Sequence, residues 1–263
     1  MSLDLSRSRL NSIASRFRRT RAGVFADRFI FNRFEVPTLV GIVVIAAFLW
    51  GFAHLASEVL EGDTNAFDRA VLLALRNPAD LADPIGPGWF EGMARDITAL
   101  GGVAVLTFLT VAVAGWLWMR GNGRTMWLVL LSSAGGFAVS HLLKEVFGRA
   151  RPDLVPHGAT VYTASFPSSH SMMSAAIYLT LAALVARVEP RRRVKAYLLV
   201  VASLLSVLVG LSRIYLGVHW PTDVIAGWAL GATWALIWWM GARWLESRGV
   251  VEPERDEPSS PQD

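Results

Sequence analysis

The stretch "VKAYLLVVASLLSVLVGLSRIYLGVHWPTD", residues 194–223, places an apolar run directly before a polar cluster. Its first part carries a single charge, Lys195, and is close to the length of about 20 residues that crosses a bilayer as a helix. Its second part then sets Arg213, His219 and Asp223 at a helix end. Five further apolar runs occur at 37–59, 101–119, 125–143, 171–188 and 224–244. Six such runs predict an all-α fold, a bundle of six transmembrane helices. Composition agrees: the 263 residues are 53% hydrophobic and 17% charged, with eleven tryptophans, and the mean hydropathy is +0.42. A soluble chain of this length is less apolar.

The sequence contains no cysteine. Disulfides, thiolate metal sites and a cysteine nucleophile are therefore excluded. The pI of about 9.9 is explained by topology, and no nucleic-acid partner is expected. The first 34 residues hold eight arginines and no spanning run. Placing this arm in the cytoplasm and counting six helices puts eighteen of the 25 basic residues inside, as the positive-inside rule requires. Both termini are then cytoplasmic. The expected organisation is a basic arm at 1–36, a transmembrane domain at 37–246, and a disordered tail at 247–263.

Seven basic residues fall outside: Arg69, Arg76, Arg95, Lys144, Arg149, Arg151 and Arg213. Several belong to three polar clusters. "KEVFGRARP" carries Lys144 and Arg151, seven positions apart, a spacing that sets both on one helical stripe. "FPSSHSMMSAAIYLT", residues 166–180, opens the fourth helix with Ser168, Ser169 and His170. These serines suit a helix cap as well as a site. The third cluster is that of Arg213, His219 and Asp223. Helix alternation brings all three to the outer membrane face.

Two arginines and a lysine around a helix N-terminus suit a phosphate dianion, since guanidinium forks match phosphate oxygens and helix N–H groups attract anions. With no cysteine and no Asp-x-Asp segment, histidine is the available nucleophile. Asp223, four residues after His219, can fix one imidazole nitrogen and leave the other to attack. His170 can protonate the leaving oxygen. No metal site and no cofactor are expected. His54, His141 and His157 are isolated and lack metal-ligand spacing.

"KEVFGRARP", "PSSH" and "SRIYLGVHWPTD" resemble the three signatures of the type 2 phosphatidic acid phosphatase (PAP2) family, which shares its site with vanadium haloperoxidases. "RDITALGG", residues 95–102, also resembles many bacterial members. The resemblance covers about 95–244. It implies that Lys144, Arg151 and Arg213 hold phosphate oxygens with Ser168 and the amide of Ser169. It further implies that His219 forms a phosphohistidine oriented by Asp223, and that His170 is the acid. Ser169 departs from the pattern, which usually has glycine there.

The expected protein is an integral membrane phosphatase of the bacterial inner membrane, metal-independent, acting at the outer face on a lipid phosphate or diphosphate. Undecaprenyl diphosphate, phosphatidylglycerol phosphate, phosphatidic acid and lipid A phosphates present similar head groups. The alternatives are a vanadate-dependent haloperoxidase and a non-catalytic phospholipid-binding or transport protein. The partners are the bilayer and its lipids; oligomeric state is not legible. Arg149 and Tyr215 flank the motifs and are candidates to assist at the site, with loop packing or interfacial anchoring as the other reading. The loop 61–96 includes "FDRAVLLALRN", which predicts an amphipathic helix over the rim of the site. The small residues of "GWALG", 227–231, predict close helix packing.

Overall fold

The computed structural model describes residues 36–153 and 164–253. The basic arm through residue 35, His157 and residues 254–263 lie outside them. By its contacts the chain divides into 1–44 and 45–263. Of the first unit, the described residues are the opening turns of the first helix; the site and its supports belong to the second.

Among the described residues the fold is almost entirely helical: α1 (Val36–Glu61), α2 (Asn65–Leu73), α3 (Gly88–Leu100), α4 (Val103–Met119), α5 (Gly123–Val146), α6 (Ser169–Val188), α7 (Arg192–Tyr215) and α8 (Pro221–Ser247). Five of these, α1, α5, α6, α7 and α8, are long and apolar enough to cross a membrane. A sixth span results if α3 and α4, bent by 50° at their break, count together. Helices are the form in which a span satisfies its own backbone within lipid.

α6 is the hub. Its most apolar stretch is 83% buried, against 11–33% in the other spanning helices. The reason lies in its small residues, Ser171, Ser174, Ala175, Ala176 and Ala182, all buried. On α8, Gly227 and Gly231 match this surface: a Cβ built on Gly231 would lie 2.4 Å from the Met172 carbonyl oxygen. The "GWALG" segment thus packs backbone against backbone, as small residues do between membrane helices. Away from α6, Phe108, Trp118, Val200 and Leu204 are exposed, as side chains facing lipid are.

The loop between α1 and α3 differs from expectation. The amphipathic helix ends at Leu73, and a two-stranded antiparallel sheet follows, β1 (Arg76–Asn77) with β2 (Asp80–Pro84). These strands are too short to show alternation in sequence. Nor does the tail leave the bundle at 247. Val251 is buried in the core, and the Glu252 carboxylate accepts from the Arg124 N–H at 3.0 Å and from the Thr125 N–H and hydroxyl at 3.1 and 3.0 Å. Those N–H groups have no intrahelical acceptor at the start of α5, so the tail caps them.

Candidate active site

The end of α5, the start of α6, the end of α7 and the start of α8 meet at one end of the bundle. α5 ends at Val146, so Lys144 sits in its last turn, while Arg151 lies beyond it on the connecting loop. The shared helical stripe expected for the two is therefore corrected: Arg151 arrives by the loop. The loop is pinned by Ser165, whose N–H donates to the Arg149 carbonyl at 2.8 Å. After the cis Phe166–Pro167 bond, Ser168 caps α6, its hydroxyl accepting from the Ser171 hydroxyl at 3.0 Å and from the Ser171 N–H at 3.5 Å. The Ser168 N–H donates to the Asp223 carbonyl at 3.0 Å. This joins the starts of α6 and α8 directly, and it sets His170 in the first turn of α6. Ser169 turns its hydroxyl to Ser140, 3.1 Å away.

The turn from α7 to α8 passes through Gly217 at φ +69°, a left-handed conformation suited to glycine. Pro221 then opens α8. Asp223, on its first turn, reaches back to accept the Trp220 N–H at 3.0 Å. His219 and Asp223 are both buried. His219 Nδ1 lies 3.3 Å from Asp223 Oδ2 and 3.3 Å from the Ser165 hydroxyl, which donates to the same carboxylate oxygen. On the other side of the ring, Nε2 lies 3.1 Å from Arg151 Nη1. A guanidinium has no lone pair to offer, so Nε2 is the acceptor and Nδ1 carries the proton toward Asp223. Burial pushes the imidazole down to about 4, assisted by the Arg213 and Arg151 charges and opposed by its hydrogen bond to Asp223. The ring is therefore neutral near pH 7, with its bare nitrogen facing the cations.

Lys144, Arg151, Arg213 and His170 lie within electrostatic reach of one another, and Arg151 of this group meets that nitrogen. Arg213 is steadied by Thr98 of α3, 3.1 Å from Nη1. Arg151 also donates to the Val218 carbonyl at 2.9 Å, and burial lowers its pKa. A cavity of about 240 Å³ adjoins the cluster, and its walls include Lys144, Ser169, His170 and Gly101. Gly101 is required there, because a Cβ would stand 2.5 Å from Val209 and 3.3 Å from the His170 ring. The seven polar side chains picked out by residue type and spacing thus converge with Ser168 at one end of the bundle. Ser168 enters this group through its backbone and its cap.

The sequence model of the PAP2 superfamily matches residues 125–246. Phosphatidylglycerophosphatase B of Bacillus subtilis (strain 168) is 34% identical over 182 residues, spanning 68% of this chain and 83% of its own length. The chain belongs to the PAP2 superfamily. A crystal structure of a transmembrane PAP2-type phosphatidylglycerolphosphate phosphatase from Bacillus subtilis aligns with it at a TM-score of 0.67 and 28% identity, covering 78% of this chain and 96% of that one. Undecaprenyl-diphosphatase BcrC of Bacillus subtilis (strain 168) is 31% identical over 46% of this chain and 61% of its own length. This PAP2 chain is, like these relatives, a membrane-embedded phosphohydrolase.

The bridge that Arg149 makes in this PAP2 site, and the residue at its far end, were not legible beforehand. Arg149 does more than pack a loop: Nη1 donates to Asp223 Oδ1 and Nη2 to Asp68 Oδ2, each at 2.7 Å. Asp68 comes from α2, is fully buried, and also accepts from the Thr222 N–H at 3.0 Å and hydroxyl at 2.6 Å. The only sequence signal was an acidic residue within an otherwise apolar helical stripe. Tyr215, by contrast, is a packing residue: its hydroxyl donates to the Ile85 carbonyl at 2.9 Å, and its own carbonyl accepts from buried Arg76. His54 and His141 pair with Glu58 and Glu145 one turn on, at 3.3 and 3.5 Å, and His141 also edges the cavity.

Proposed function

We propose that this PAP2 protein has six membrane spans, counting α3 and α4 as one. It removes phosphate from a lipid phosphate or diphosphate at the outer face of a bacterial inner membrane, with its termini in the cytoplasm. The observation that carries the reading is the arrangement at His219, with Nδ1–H directed to a buried carboxylate and the Nε2 lone pair directed into the cation cluster.

Lys144, Arg151 and Arg213 hold the phosphate oxygens, joined by the N–H groups at the start of α6. The Arg151 guanidinium turns from Nε2 to the incoming phosphate. Nε2 then attacks phosphorus, and the bond from phosphorus to the lipid oxygen breaks. His170 gives its proton to that oxygen, and the phosphoryl group remains on His219. Asp223 stabilises the positive charge that the ring acquires. Neutral again, His170 takes a proton from water, whose oxygen displaces His219 and releases inorganic phosphate. The negative charge of the transferring group is met by side-chain cations, so the step is metal-independent. Ser169, with its hydroxyl on Ser140, leaves room where the family usually has glycine. The lipid chain reaches the site laterally through the apolar walls of the bundle.

The test is phosphate release in EDTA from phosphatidylglycerol phosphate, undecaprenyl diphosphate, phosphatidic acid and lipid A 1-phosphate, wild type against His219→Ala. The expected result is chelator-insensitive turnover of at least one lipid, abolished in the variant. Turnover lost to EDTA refutes the metal-free step. Full release by His219→Ala refutes the phosphohistidine.

A further inference from the structure

We propose that Asp68 is a positioning residue for the His219–Asp223 pair, acting through Arg149. The inference rests on the phosphohistidine reading above, and it concerns a residue outside the matched segment 125–246. Asp223 uses its two oxygens differently. Oδ2 faces His219, Ser165 and the Trp220 N–H, while Oδ1 takes the Arg149 guanidinium at 2.7 Å. An ion pair of Asp223 with Arg149 alone is electrically neutral. It would leave little negative potential to support a cationic imidazole. Asp68 changes that balance, because the Asp68–Arg149–Asp223 row carries a net charge of one negative unit, as a lone carboxylate would.

Geometry points the same way. The guanidinium is forked between two carboxylates, with Nη1 on one and Nη2 on the other, so it cannot swing toward His219. The Thr222 hydroxyl donates to Asp68 at 2.6 Å and accepts from Arg149 Nη1 at 2.8 Å, which closes the ring of contacts. The Thr222 N–H, at the start of the helix that carries Asp223, also donates to Asp68. The loop helix α2 therefore supplies a charge to the hydrolytic machinery.

The test uses the full-length protein in dodecyl maltoside micelles with phosphatidic acid, comparing Asp68→Asn, Arg149→Gln and the double variant. Asp68→Asn is expected to lower kcat about 10- to 100-fold with KM nearly unchanged, taking the scale on which outer-shell partners of histidine ligands act in metal sites. In the Arg149→Gln background Asp223 has no guanidinium to offset, so the same substitution leaves a lone carboxylate behind His219 and is expected to change kcat less than about threefold. A purely structural Asp68 lowers kcat in both backgrounds, and that outcome overturns the proposal. If Asp68→Asn alone does not fold, the comparison of Arg149→Gln with the double variant still decides: near-equal kcat supports the proposal, and a further loss overturns it. A second readout needs no substrate: in 15N-histidine spectra, the His219 Nδ1–H resonance moves in Asp68→Asn and returns toward its wild-type position in the double variant. An unmoved resonance also overturns the proposal. Failure of the phosphohistidine reading registers separately, as phosphate release by His219→Ala.

Discussion

Replacing Gly231 with alanine is expected to separate α8 from α6 and to reduce turnover while leaving the protein folded. The new Cβ would stand 2.4 Å from the Met172 carbonyl oxygen, 2.6 Å from Ala175 Cβ and 2.9 Å from the Ala176 nitrogen. Two of these atoms are backbone, and the third is a Cβ with no torsion to relieve it. Ordinary contact begins at 3.4 Å, and 3.4 − 2.4 leaves about 1 Å of displacement to be found between the helices. Overpacking of this kind costs about 1–3 kcal/mol, partly offset by the better helix propensity of alanine, about 1 kcal/mol. The fold survives a loss of that size. The chemistry is more sensitive: Met172 is two residues from His170, α8 carries Asp223, and a misplacement of about 1 Å can cost about 100-fold. The assay is kcat for phosphate release by Gly231→Ala, with Gly241→Ala as the control. Gly241 lies on the same helix with nothing within 4 Å of its Cβ position, so its substitution is expected to be silent. A Gly231→Ala enzyme that turns over at the wild-type rate, or a Gly241→Ala enzyme impaired to the same degree, refutes the close-packing argument.

Further outcomes follow from the site and from the tail. His219 is expected to titrate near pH 4 in 15N-histidine spectra, because burial disfavours the imidazolium. The unfolded chain takes up that proton below about 6.5 and the folded chain only below about 4, so this residue removes stability as pH falls through that window. A midpoint near 6.5 contradicts the burial. Ser169→Gly, which restores the usual family residue, is expected to keep kcat within about threefold, since only the contact to the Ser140 hydroxyl is lost. Glu252→Ala is expected to lower the melting temperature in detergent, at a cost of about 1–2 kcal/mol for an uncapped helix start. Burial raises the Glu252 carboxyl, but hydrogen bonds, among them those from the Arg124 and Thr125 N–H groups and the Thr125 hydroxyl, hold it below its ordinary value. Its contribution is therefore present above the ordinary carboxyl range and is lost as pH falls through the lowered value. Equal melting of wild type and Glu252→Ala at neutral pH contradicts the cap.

The apolar runs made the helical membrane fold legible, because spanning length is set by bilayer thickness and needs no tertiary information. The grouping at the site was legible for two reasons. His219 and Asp223 are four residues apart, and helix alternation sends Lys144, His170 and Arg213 to one end of the bundle. The position of Arg151 was read correctly from the wrong element, since the end of α5 at Val146 could not be placed within "KEVFGRARP". Asp68 was not legible, because its partner Thr222 lies 154 residues away. An acidic residue on an amphipathic segment reads as solvated until its burial is seen. The sheet of β1 and β2 escaped notice because strands of two and five residues carry too little pattern. The docked Glu252 was hidden by a Pro-rich, acidic context.

Arg149 and Arg151 are separated by Ala150 alone, and they address opposite ends of the imidazole–carboxylate couple. One guanidinium grips Asp223 from behind, and the other meets the bare nitrogen of His219. Loop length here is consequently a functional quantity. An insertion or deletion of a single residue between these arginines would present the wrong cation to each position, with every side chain of the motif still in the sequence.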